Sequence, residues 1–128
     1  MNETIKEWVA KAEGDYHVAG RELKATTNPN YDAVCFHAQQ CVEKLLKAAL
    51  INGGKIPPRI HDLAELGRLL AQIYENWNWP VEELRFLSIS AVAFRYPGEF
   101  ADAEDAAKAF KICSRLRTRL LEILKQNE

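Results

Sequence analysis

The stretch CFHAQQCVEKLLKAAL, residues 35–50, has the period of a helix, yet it carries His37, Gln39, Gln40, Glu43, Lys44 and Lys47 within a handful of turns. Successive residues of a helix turn by about 100°. With His37 taken as zero, Lys44 lies about 20°, Gln40 about 60° and Lys47 about 80° away on the same side. These four make a narrow stripe with two ammonium groups, an imidazole and an amide, while Val42, Leu45, Leu46 and Ala49 occupy another sector. Such a face can receive a phosphate or a base edge, with Lys44 and Lys47 on the phosphate and Gln40 on the edge. The same residues also fit an ordinary solvated flank. Lysines snorkel into water, and Glu43 four residues before Lys47 is a solubilising pair on an exposed helix.

A second group lies in SISAVAFRYPGEF, residues 88–100. Arg85, Ser88, Val92 and Arg95 follow at steps of three, four and three and share a helical face. An arginine there can grip phosphate in a bidentate fork that lysine cannot make, and Tyr96 can stack on a base. The structural alternative is that Arg95 bonds the free carbonyls of a helix end and Tyr96 packs before Pro97. His61 and Asp62 form a third group. They can do acid–base work if a substrate lies within hydrogen-bond reach; otherwise Asp62 caps a helix start.

Other chemistries lack their residues. Cys35, Cys41 and Cys113 contain no C-x-x-C pair, and an odd count does not close into bridges, so they read as small buried hydrophobes in a reducing compartment. No metal or cofactor is expected. A carboxylate-bridged metal bundle wants Glu-x-x-His, and His17, His37 and His61 each lack Glu three residues before. There is no P-loop, dinucleotide fingerprint or G-x-S-x-G. A net charge of −1 gives no global pull toward nucleic acid, which would need a local basic patch. The N-terminal residues MNETIKEWVAKAEGDY lack the apolar core of a signal peptide. No apolar run is long enough to span a membrane. A cytoplasmic protein is expected.

The elements that must position these groups are all helices, since no run alternates in strand fashion. With 128 residues, 48% of them hydrophobic, one domain over residues 1–128 can bury its own core. A first helix is expected over residues 3–25, on the spacing of Ile5, Trp8, Val9, Ala12, Tyr16, Ala19 and Leu23, ending at TTNPN. A second covers residues 31–51 and ends at NGG. A short third begins near His61 and Asp62 and buries Leu63, Leu66, Leu69, Leu70 and Ile73. A fourth runs over residues 81–96, stopped by Pro97 and Gly98. The fifth covers residues 102–125, acidic at its start and basic at its end as the helix dipole prefers. Long helices with short connections predict an all-α, antiparallel up-and-down four-helix bundle with an additional short helix at one side. If the protein dimerises, an apolar helix face and the aromatic loop Trp77–Trp79 are the expected contact; burial within one chain is the alternative.

Together, KAEGDYHVAGREL, YDAVCFHAQQCVEKLLKAAL, RIHDLAEL and FRYPGEFADAEDAAKAF resemble the HEPN family of small helical domains, over nearly the whole chain. The aromatic–His–Ala–Gln–Gln pattern followed by Glu–Lys–x–x–Lys is the most specific part. The resemblance implies a HEPN-like bundle, similar to nucleotidyltransferase substrate-binding subunits and often homodimeric. It also implies a minimal nucleotidyltransferase as partner, frequently in a toxin–antitoxin pair, and a nucleotide or RNA ligand. The ribonuclease branch of the family carries Arg, four to six residues, then His. No arginine here has a histidine at that spacing; Arg95 is followed by YPGEFADAE. The chain therefore resembles the subgroup with an RYP ending. A non-catalytic nucleotide- or RNA-binding module follows, with His37, Gln40, Lys44, Lys47, Arg95 and Tyr96 as contacts and His61 and Asp62 as secondary candidates. A degenerate metal-independent ribonuclease toxin and a purely structural dimer scaffold are the alternatives.

Overall fold

The computed structural model describes residues 1–126. Among them are five helices: α1 (Glu3–Leu23), α2 (Tyr31–Asn52), α3 (Leu63–Ala71), α4 (Val81–Ala93) and α5 (Ala103–Gln126). Their starts follow from side chains that take over the free N–H groups of a first turn. Asn2 accepts from Ile5 N at 2.8 Å and Asn30 from Ala33 N at 2.9 Å. Asp62 accepts from Ala64 N and Glu65 N at 3.0 and 3.3 Å. Asp102 and Asp105 accept from each other's backbone N–H at 2.7 and 3.1 Å, a reciprocal cap for α5. At the other end of α2, Gly54 takes the left-handed conformation (φ 83°) that turns the chain out of the helix. α4 stops at Ala93, earlier than the expected 96, so Arg95 and Tyr96 lie in the turns beyond it.

Cross-helix pairs set the directions. Asp15 meets His37 and Lys44, while Ala19 packs with Val34, so α1 and α2 run oppositely. Asp32 accepts from Ala101 N, Val34 packs with Ala106, and Cys41 meets Cys113, so α2 and α5 run the same way. Glu13 with Arg117 and Tyr16 with Ser114 make α1 and α5 antiparallel. Glu83 with Arg115 and Phe86 beneath Lys108 do the same for α4 and α5. α2 and α5 thus meet across the middle, while α1 and α4 sit at opposite corners with no close approach of their backbones. This is the up-and-down four-helix bundle, with α3 packed beside α2 and α4. At Gly67 an added Cβ would lie 2.9 Å from Leu84 Cδ1, which lets α3 approach α4 closely.

The core is built on α2 and α5. Leu45, Leu46, Leu116, Leu120 and Leu124 are fully buried, joined by Leu63, Leu66 and Leu70 of α3 and Leu87 of α4. The three cysteines are buried and unbridged, as expected for small apolar fillers. The aromatic loop is also internal: Trp77 is buried and stacks on Trp79 with centroids 6.0 Å apart. Trp77 thus belongs to the core of the monomer, and Trp79 packs against it half-buried. No helix among the described residues is long and apolar enough to cross a membrane.

Candidate functional site

α2 packs against all four other helices, so its polar residues cannot simply face water. They must find partners within the fold. On the α1 side, Asp15 accepts both His37 Nδ1 at 2.8 Å and the Lys44 ammonium. His37 and Lys44 therefore close the α1–α2 seam.

On the other side lies a buried network around Glu43, whose side chain is 7% exposed. Its carboxylate accepts from Lys47 Nζ at 3.2 Å and Gln39 Nε2 at 2.9 Å, and both oxygens lie 3.0 Å from His61 Nδ1. Burial opposes ionisation of Glu43. The hydrogen bonds from Gln39, His61 and Lys47, with the Lys47 charge, outweigh it and hold the carboxyl below its ordinary range. Gln39 Nε2 also donates to the His61 carbonyl at 3.2 Å, and Gln40 Nε2 donates to Gln39 Oε1 at 2.8 Å. Hydrogen bonds thus run from buried Lys47 through Glu43 and Gln39 to Gln40.

Gln40 and Gln39 open onto a cleft of about 770 Å³ between α2, α3 and α4. Phe36, Ala64, Val81, Ile89, Ala91 and Val92 supply its apolar wall, and Ile89 and Val92 are well exposed. Arg68, Arg85 and Arg95 supply three guanidinium groups. Arg68 is held by Glu65 at 2.6 and 2.9 Å. Arg85 and Arg95 have no carboxylate partner among the described residues; Arg95 lies over the Phe36 ring, 5.4 Å from its centroid. His61 and Asp62 stand at the rim, where the His61 side chain is 81% exposed and its Nδ1 is turned to Glu43. Ser88 accepts from Leu63 N at 3.1 Å and so ties the start of α3 to α4.

The sequence-derived candidates are therefore divided. Gln40, Arg95, His61 and Asp62 line the cleft together with Arg85, Ser88 and Val92 of the shared α4 face. His37 and Lys44 are committed to Asp15, Lys47 is committed to Glu43, and Tyr96 does not line the cleft. Lys44 instead borders a shallow groove with Thr4, Trp8 and Lys11 of α1, so it shares no anion site with Arg95. The helical wheel groups His37, Lys44 and Lys47 in one stripe, but the fold divides them between two acids from outside it, Asp15 for His37 and Lys44 and Glu43 for Lys47. Sequence reasoning missed Phe36 and Arg68. Phe36 adjoins His37 in the motif itself, and Arg68 lies off the leucine stripe of α3; both were open to notice.

The fold and cleft define a helical-bundle protein with an arginine-lined cleft. The family model described as "HEPN domain" matches residues 5–124, and the chain belongs to the HEPN family. Two solved structures share the fold. TT1696 from Thermus thermophilus superposes with a TM-score of 0.76 at 22% identity, covering 96% of this chain and 99% of that one. ST0689, an archaeal HEPN homologue, gives 0.67 at 24% identity, with both chains fully covered. Among curated proteins none matches the chain.

Proposed function

We propose that the α2–α3–α4 cleft binds a nucleotide or the phosphates of RNA. We further propose that this HEPN protein works in the cytoplasm as a homodimeric binding module beside a minimal nucleotidyltransferase, as part of a toxin–antitoxin pair. The observation that carries the ligand reading is Arg85 and Arg95, two guanidinium groups without an acid partner among the described residues, lining one cleft with an apolar wall. Its volume is in the range of small-molecule sites. Arginine forks suit phosphate oxygens, and Phe36, Ile89 and Val92 offer apolar surface for a base. Tyr96 and Phe100, 63% and 76% exposed beyond the cleft, are the surface proposed for a second copy. Family membership supports the nucleotidyltransferase partner.

Titration of ATP, GTP and a short single-stranded RNA tests the ligand reading. An Arg85→Ala/Arg95→Ala variant is expected to bind at least about tenfold more weakly. The salt slope for RNA should fall by about 1.4, because two phosphates no longer meet a cation. Lys44→Ala should leave affinity unchanged. Equal affinity of the arginine variant and the parent refutes the site.

One observation favours ribonuclease activity as a second reading. Glu43 holds His61 Nδ1, leaving Nε2 of an exposed imidazole without a partner among the described residues in the same cleft. The same RNA, incubated without metal, separates the readings: binding without strand scission rejects cleavage and leaves binding intact.

A further inference from the structure

We infer that Gln40 selects the bound base by hydrogen-bond polarity, presenting a carbonyl acceptor to the cleft and favouring a base edge that carries an exocyclic amino group, as adenine does. The inference rests on the nucleotide-binding reading of the cleft and says which base that site prefers.

The orientation of an amide side chain is set by its partners. Gln39 touches three groups, and two can only accept: the Glu43 carboxylate and the His61 backbone carbonyl. Turning the Gln39 amide over would set its oxygen against both of these acceptors in a buried site, leaving them without that donor. Lys47 and His61 keep Glu43 charged, so the carboxylate offers no proton that would relieve the clash. Gln39 Nε2 therefore faces Glu43, and Gln39 Oε1 faces Gln40.

The constraint passes on. Gln39 Oε1 is an acceptor, so Gln40 must turn its Nε2 toward it, which it does at 2.8 Å. One N–H of Gln40 is thereby used within the protein, and Gln40 Oε1 is left without a partner among the described residues on the cleft wall. A buried ion pair two side chains away has fixed the sign of the group that meets the ligand. A free amide could rotate to suit either an amino or a carbonyl edge. This one cannot do so without losing the hydrogen bond to Gln39 and setting oxygen against oxygen, because Gln39 is itself held by Glu43. A site built to pair with one polarity rejects the analogue that lacks it, because its own polar atom is then left unpaired.

Calorimetry with ATP, purine riboside 5′-triphosphate and ITP isolates the base edge. The triphosphate, and so the arginine contribution, is the same in all three. Purine riboside removes the amino donor, and ITP sets a carbonyl in its place. ATP is expected to bind about tenfold more tightly than either, the size of one well-made neutral hydrogen bond. In Gln40→Met, which keeps the length but not the polar atoms, the three should agree within about twofold. In Gln40→Lys, which puts a donor where the acceptor was, the ratio should shift toward ITP; a merely structural role for Gln40 predicts no such shift. Equal binding of the three by the parent protein, or an ATP preference that survives Gln40→Met, overturns the inference and leaves the nucleotide reading standing. If none of the three binds, that reading falls and the inference falls with it.

Discussion

Replacing Glu43 by alanine removes the one carboxylate that Lys47, Gln39 and His61 share. The Lys47 side chain is 9% exposed, so its ammonium would be stranded inside the bundle. Breaking a buried pair by deleting one partner costs about 3–5 kcal/mol. A domain of this size has a total stability of about 5–15 kcal/mol, so the variant would lose a large share. With a urea m-value of about 2 kcal/mol/M, the midpoint should fall by about 1.5–2.5 M, followed by far-ultraviolet circular dichroism. The double variant Glu43→Leu/Lys47→Met removes both charges while roughly keeping volume. It should recover more than half the loss, because Gln39 retains the His61 carbonyl and Gln40 as partners. Glu43 also gives a pH signature. Its folded-state pKa is depressed, so its contribution is complete above the unfolded carboxyl value of about 4.3 and disappears as pH falls through the folded value. Glu43→Gln should abolish that part of the acid destabilisation. A loss below about 1 kcal/mol in Glu43→Ala, or a double variant no more stable than the single, would refute the buried-network argument.

Two further outcomes follow from local chemistry. Asp62→Ala should cost about 1 kcal/mol of stability in urea melts, because Ala64 N and Glu65 N lose their cap, whereas Asp62→Asn should cost little. The cysteines, all three buried, should resist iodoacetamide at about pH 8, where an ordinary thiol reacts; burial, with a smaller push from Asp105, Asp32 and Asp102, also raises Cys35 to about 12, and the hydrogen bond with Cys113, then burial, raises Cys41. Mass spectrometry should find all three alkylated only after unfolding.

The helices are readable because apolar period, caps and breakers agree. Asp62 and the NGG after α2 act where the sequence places them. The sequence pattern carries α4 three residues too far. The cause is physical: Pro97 has no N–H to give the Ala93 carbonyl four residues earlier, and its ring would crowd that carbonyl, so the chain leaves the helix after Ala93 through turns that carry Arg95 and Tyr96. The cleft is half readable. Spacing alone places Arg85, Ser88, Val92 and Arg95 on one face, and the structure sets all four on one wall. Spacing cannot show that α3 closes the opposite wall with Arg68 and His61, since that depends on how a short helix docks.

The polar residues of α2 show what a helical wheel leaves out. A wheel sorts residues by angle, but what a polar residue does depends on what stands across from it. His37 and Lys44 meet an acid of α1, twenty-two and twenty-nine residues earlier in the chain. Lys47 meets Glu43 of its own helix, a pair that is visible in the sequence and looks solvent-facing there. In water that pair contributes little. Enclosed by neighbouring helices, the same spacing becomes a fixed charge that orients Gln39 and, through it, Gln40. The lysines of the motif, which look most like ligand contacts, are thus committed to carboxylates inside the fold, and in the proposed site contact with a ligand falls to the amide that Lys47 helps to hold, to Arg85 of α4 and to Arg95 just beyond it.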